Sequence, residues 1–210
     1  PYTTLFRSAR QCGIQTPDFE LVRLGNIHTL LLRRFDRPGK MDSGGRIHFL
    51  SAAAFTNSPY DSNAGSYVKF AQHLRKYGAN VAADLSQLFR RMVFNMAIDN
   101  SDDHVKNHGV LHAGNNLYVL SPAYDLVPQL TNLGYMSMAI AEEQMTASVA
   151  LARSQAGHFG LSTSAADQII AEVLQGVGRW RPLFEAMGVD APALKRLEAC
   201  LTRQQQSIHQ

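Results

Sequence analysis

The stretch that most limits the fold is "ADLSQLFRRMVFNMAID", residues 83–99. Its Leu85, Leu88, Phe89, Met92, Val93 and Met96 recur at helical spacing. An apolar face that full predicts a long core helix, which the rest of the chain must cover. Its C-terminal end runs directly into "NSDDHVKNH", a segment dense in acids, amides and histidines. Beyond it, "HGVLHAGNNLYVLSPAYDL" alternates apolar and polar residues on both sides of Gly114-Asn115-Asn116, the pattern of a hairpin with a turn that tolerates positive φ. A helix, a polar loop and a hairpin in this order return Asp125 toward Asp102 and Asn107.

The flanking sequence predicts simpler pieces. "FELVRLG" and "HTLLLRRF" are extended runs joined by Gly25-Asn26, a second hairpin. "DRPGKMDSGGR", residues 36–46, has loop composition. From residue 47 onward the pattern turns helical. Tyr67, Phe70, Leu74 and Tyr77 mark a helix over 66–78 ending at Gly78, and further helices are expected over 165–180 and 191–206, with Pro182 and Gly188 breaking between them. With 210 residues, 45% apolar and 18% charged, the chain suits one main domain with a well-populated core and is not disordered. A net charge of +3 and a pI near 9.0 are too mild to argue for nucleic-acid binding. Cys12 and Cys200 have no ligand or framework spacing and are expected to be unpaired thiols. No run approaches the roughly 18 apolar residues of a membrane span and no signal peptide is visible, so a cytoplasmic location is expected.

Residues 1–8, "PYTTLFRS", are what a common sequencing-adapter end encodes, and no initiator Met precedes them. They are expected to be a scar and are left out of the fold reading, the natural chain having begun upstream. Three segments follow: 1–8 as the scar, 9–35 as the end of a small β-containing lobe with its hinge, and 36–210 as a helical lobe.

Asp102 and Asn107 stand at D-x-x-x-x-N spacing, and protein kinases place a catalytic Asp and a metal-holding Asn at that spacing, with a second metal-binding Asp after a hairpin. Phosphoryl transfer needs little covalent help. It needs positioned oxygen ligands for a hard cation and a carboxylate beside the nucleophile. "NSDDHVKNHGVLH" followed by "LSPAYDLVP", and preceded by "LLRRFDR" and "RIHFL", resembles the HipA-like serine/threonine kinases, toxins of bacterial type II toxin–antitoxin pairs. The signature there has the form N-x-D-x-H-x-K-N with a downstream P-x-Y-D, and looser similarity runs from about residue 9 to 190.

That resemblance implies an α+β, mostly α fold: a protein-kinase-like C-terminal lobe carrying the last strands of a truncated N-terminal lobe. It implies ATP and Mg²⁺ as cofactors and Asp102 as the catalytic aspartate. His104, Lys106 and Asn107 would contact ATP phosphate and magnesium. Tyr124 and Asp125 would form the second metal segment, so that the metal ligands are Asn107 and Asp125. Arg33, Arg34 and Phe35 match the hinge whose backbone holds the adenine, where the family's frequent Glu is replaced by Arg33. The implied partners are a Ser/Thr-bearing protein substrate and an antitoxin, with DNA reached only through the antitoxin. The family's phosphate-binding loop and ATP lysine belong upstream of residue 9, so this chain alone is expected to bind nucleotide poorly.

Two other classes stay open on the residues. One is a non-catalytic, truncated or degenerate toxin fragment that binds nucleotide or antitoxin. The other is a metal-dependent phosphoesterase using the Asp/His cluster. Asp103, Asp99, Asn95 and Asn100 are expected to face solvent or cap neighbouring N–H groups. His104 and His108 are four apart but lack the HExxH glutamate of a zinc helix.

Overall fold

The computed structural model describes residues 2–37, 39, 45–59, 65–131 and 133–207; the part of the expected 36–46 loop at 38 and 40–44 lies outside them. Helix α1 (Tyr2–Gln11) leads into a hairpin of β1 (Phe19–Leu24) and β2 (Ile27–Leu32). Then come β3 (Phe49–Ser51), α2 (Ala52–Phe55), α3 (Tyr67–Tyr77) and α4 (Val81–Ala97). A second hairpin, β4 (Gly109–Gly114) and β5 (Leu117–Leu120), precedes α5 (Val149–Ser154) and a 3₁₀ turn (Ala156–Phe159). Helices α6 (Thr163–Gly178), α7 (Trp180–Ala186) and α8 (Ala191–Ser207) complete the chain. The fold is mixed and mostly helical, with small sheets only.

Helix α4 is the centre of the core. Its Leu88, Phe89, Met92, Val93, Phe94, Met96 and Ala97 are fully buried, and α3, α6 and α8 pack around it. Full burial of each large apolar side chain stabilises by about 1.5–3 kcal/mol, so the apolar stripe seen in the sequence organises the whole lobe. Ser66 caps α3 by accepting from Lys69 N at 3.0 Å. The β4–β5 turn takes positive φ at Gly114, Asn115 and Asn116, as the turn residues dictate.

Strands β1 and β2 pair antiparallel from Phe19↔Leu32 to Leu24↔Ile27. Cross-strand partners share a face, so Val22, Leu24, Ile27 and Leu31 lie on one side of the ribbon and Leu21, Leu30 and Leu32 on the other. Leu24 and Ile27 are 61% and 70% exposed, and Leu21, Leu31 and Leu32 are exposed as well, whereas Phe19 and Leu30 pack against the core, so the ribbon is covered in part by the rest of the described chain.

Several expectations change. Residues 2–8, left out of the fold reading, belong to α1, and Leu5 and Phe6 are buried in the core. The chain is not wholly helical after residue 47, because β3 pairs Phe49↔Leu111 through Ser51↔Gly109 and makes a three-stranded sheet with β4 and β5. Three residues are too few for an alternation to show. Pro182 does not break the helical region. The interruption is at Arg179, and Pro182 sits in the first turn of α7, where its missing N–H costs no intrahelical bond. The second strand ends at Leu32, leaving Arg33, Arg34 and Phe35 outside it. Both cysteines are buried thiols that form no disulfide among the described residues, and burial pushes the Cys12 thiol up to about 12 against the opposing charge of Arg90. No helix among the described residues is long and apolar enough to cross a membrane.

Candidate functional site

The polar segment after α4 is a pair of tight turns. Asp99 takes φ +58° and reverses the chain. Asp103 N then donates to Asn100 O at 3.1 Å and Asn107 N to His104 O at 2.8 Å. Asp99 also receives the segment that follows Asp125, with Gln129 N on its carbonyl at 2.9 Å and Thr131 N on Oδ2 at 2.7 Å. From α8, the Cys200 thiol donates to the same Oδ2 at 3.3 Å. On the far side of the turns, a Cβ at Gly109 would overlap the Phe49 ring, so glycine is what lets β3 close against β4 here.

These turns set out the residues expected from the sequence. Asp102 is exposed, and its carbonyl accepts from Asn107 Nδ2 at 3.3 Å, which ties the two ends of the D-x-x-x-x-N segment together. Tyr124 Oη donates to Lys106 O at 2.9 Å and so brings the second segment against the first. The hinge arrives from the other direction, because the Phe35 ring stacks on Tyr124 at 5.8 Å and lies 5.8 Å from Phe49. Arg34 is held by Asp36 in a two-pronged exposed pair at 2.8 and 2.6 Å, and Arg33 N donates to Asp18 O at 2.8 Å. That bond commits the Arg33 N–H to the ribbon, so adenine would have to use other hinge groups.

Asp125 sits at φ +55°, a left-handed conformation uncommon for a side-chain-bearing residue and often found at functional positions. Its carboxyl is raised above the usual carboxylate range, first by partial burial and then by the negative charges of Asp102 and Asp103, with His104 opposing. Asp102, His104 and Asp125 are therefore electrostatic neighbours. His104 is partly buried, and its Nδ1 has no hydrogen-bond partner among the described residues. Because the Asp125 pKa is raised on folding, the unfolded chain releases that proton first as pH rises, and stability falls through the window above the ordinary carboxylate pKa. Asp125→Asn is expected to be more stable than the parent at neutral pH without divalent cations, and to lose that advantage below about pH 4. Thermal unfolding at the two pH values checks the sign.

A buried polar layer lies beneath, and the sequence reading missed it. Asp103 is not solvent-facing. It is 1% exposed, accepts from Tyr67 Oη on Oδ2, and is hydrogen-bonded to His108 Nε2 on Oδ1 at 2.9 Å. Burial, with Asp103 beside it, raises the Tyr67 phenol well above its usual range, so Tyr67 stays a donor. Tyr67 Oη in turn accepts from Asn95 Nδ2 at 3.2 Å. Asn100 Nδ2 lies 3.3 Å from both Asn95 Oδ1 and Asp125 O. Asn95, Asp99 and Asn100 are accordingly buried, not exposed. The His104/His108 zinc pair fails for a related reason, since His108 faces Asp103. Among the described residues no group of three His, Cys, Asp or Glu side chains is gathered as a metal cage.

Arg91 is the cation of this layer. It is 1% exposed, donates from Nη2 to Ser121 O at 2.5 Å, and is pushed down to about 10 by burial, with Tyr67, Asp84, Tyr124 and Asp103 opposing. Asp84 accepts from Leu120 N at 3.0 Å. Asp84, Arg91 and Asn95 occupy one stripe of α4 together with Leu88. Polar residues in the apolar stripe of a core helix were the signal that could have revealed the layer.

The comparisons with known proteins agree with this architecture. The family model of the HipA-like C-terminal domain matches residues 3–180, and the chain belongs to that family. The protein named "Putative kinase Y4dM" from Sinorhizobium fredii (strain NBRC 101917 / NGR234) is 27% identical over 203 residues, covering 88% of this chain and 47% of that protein. HipA of Shewanella oneidensis MR-1, solved with HipB and its operator DNA, superposes with a TM-score of 0.79 at 15% identity over 98% of this chain and 54% of that one. The Helicobacter pylori proinflammatory kinase CtkA superposes with a TM-score of 0.70 at 11% identity, over 98% of this chain and 82% of that one. At these identities the two superpositions establish a shared fold. The chain spans about half the length of Y4dM and of HipA.

Proposed function

We propose that the chain is the C-terminal lobe of an ATP-dependent protein serine/threonine kinase of the HipA type, and that β1 and β2 are the last strands of an N-terminal lobe supplied by sequence upstream. The observation that carries this reading is the joining of the two segments, by Tyr124 Oη on Lys106 O and Asn100 Nδ2 on Asp125 O, with Asn107 tied to Asp102. The exposed Leu21, Leu24, Ile27 and Leu31 of the β1–β2 ribbon support the upstream lobe, because a two-stranded ribbon with so much apolar surface in water is marginal without further cover.

In the mechanism proposed, exposed Asp102 orients the Ser or Thr hydroxyl of a protein substrate and accepts its proton. His104 and Lys106 would neutralise phosphate charge. The residues present fit a hard cation: Asp125 and the amide oxygen of Asn107 are oxygen donors, and three carboxylates raise the local negative potential. Asp125 and Asn107 would hold Mg²⁺, which supplies charge neutralisation across the ATP phosphates. Phe35 and Tyr124, stacked on each other, offer an aromatic wall at the nucleotide side. The partner drawn from the HipA complex is an antitoxin, with DNA contacted through it.

Equilibrium titration of the full-length protein with Mg²⁺-ATP tests the assignment. Asp125→Asn and Asn107→Ala are expected to weaken binding by about tenfold or more, whereas Asp102→Asn should bind nearly as the parent does. Equal affinity in all three variants would remove the reading.

A further inference from the structure

We propose that Asp103 is a positioning residue: a buried anchor that fixes the separation and orientation of Asp102 and Asp125. The inference rests on the phosphoryl-transfer reading above. Asp102 is exposed in a turn and Asp125 is exposed in irregular backbone, and such backbone is ordinarily mobile. Transfer nonetheless demands that they be held to a fraction of an ångström. Something rigid has to join them.

Asp103 meets that need from beneath. Both of its carboxylate oxygens are committed, Oδ2 to Tyr67 Oη and Oδ1 to His108 Nε2 at 2.9 Å. His108 is itself fixed, its ring edge-on to Tyr67 at 5.3 Å and its carbonyl accepting from Ala52 N at 2.7 Å. Tyr67 belongs to α3, which is capped at Ser66 and fully buried at Tyr67, Phe70 and Leu74. From Tyr67 the hydrogen bonds continue through Asn95 and Asn100 to the carbonyl of Asp125. One end of the chain is thus the residue adjoining Asp102 and the other is Asp125 itself. Every intermediate side chain is buried, and two of the anchors, Tyr67 and Asn95, lie on core helices.

The test uses the full-length protein with Asp103→Asn and Tyr67→Phe, singly and together. Asp103→Asn keeps the shape of the side chain and removes one acceptor, and its kcat should fall roughly 10–100-fold with KM for ATP nearly unchanged. Tyr67→Phe should fall less. The double variant should be little worse than Asp103→Asn alone, because both act through one carboxylate. Amide hydrogen exchange should accelerate across 100–107 while α6 and α8 keep their protection. A merely structural role would instead lower kcat, melting temperature and protection in α6 and α8 together. The proposal is overturned if Asp103→Asn keeps its kcat to within about twofold, or if the losses multiply in the double variant. Should Asp103→Asn not fold, Tyr67→Phe carries the same readouts. Should the parent transfer no phosphate, the preceding reading fails by itself and exchange alone decides: faster exchange at 100–107 supports the anchor, and unchanged exchange overturns it.

Discussion

Asp102→Asn is expected to lower phosphate transfer by the full-length protein by roughly 10²–10⁴-fold, the contribution of a positioned general base, with little change in KM for ATP. The substitution keeps size and polarity and removes the proton acceptor. Because Asp102 is exposed and binds Asn107 through its backbone carbonyl, the variant should keep both that contact and its fold. Initial-rate kinetics together with a melting curve separate the two effects. A variant that melts as the parent does and retains its rate would dismiss Asp102 from the chemistry.

Arg91→Met should have the largest effect on stability. Methionine matches the length of the arginine stem but leaves Ser121 O without its donor and removes the positive charge that acts on Asp84 and Asp103. Leaving a buried acceptor without its donor costs about 1–3 kcal/mol, and in a chain of this length that lowers the melting temperature by about 5 °C. The loss should appear in denaturant midpoint as well as in heat. A shift of only a degree or two would mean that the layer reorganises around the missing charge.

How much was legible in the sequence follows from where periodic signals exist. Helix α4 and both hairpins could be read because apolar spacing or alternation repeats several times and the turns carry Gly and Asn. Strand β3 could not, since three residues have no period, and α7 was misjudged because a proline tolerated in a first turn looks like a breaker. The D-x-x-x-x-N spacing brought out Asp102 and Asn107 as candidates, and a hydrogen bond between them ties the segment's ends together. Asp103 was not legible, because in a loop neither of two adjacent carboxylates has a face assigned by period. What turns Asp103 inward is Tyr67, 36 residues upstream, and His108, which only the closed fold brings to it. The hint was in α4, where Asp84, Arg91 and Asn95 interrupt an apolar stripe that would otherwise run unbroken to the site.

The most direct measurement is transfer of label from γ-labelled ATP by the full-length protein to a Ser/Thr-bearing protein acceptor, with and without Mg²⁺, beside hydrolysis of a phosphomonoester without ATP. Mg²⁺-dependent label on Ser or Thr, with no ester hydrolysis, is the predicted result. Hydrolysis of the ester without ATP, with no label on a hydroxyl, would contradict the account and identify a phosphoesterase in its place.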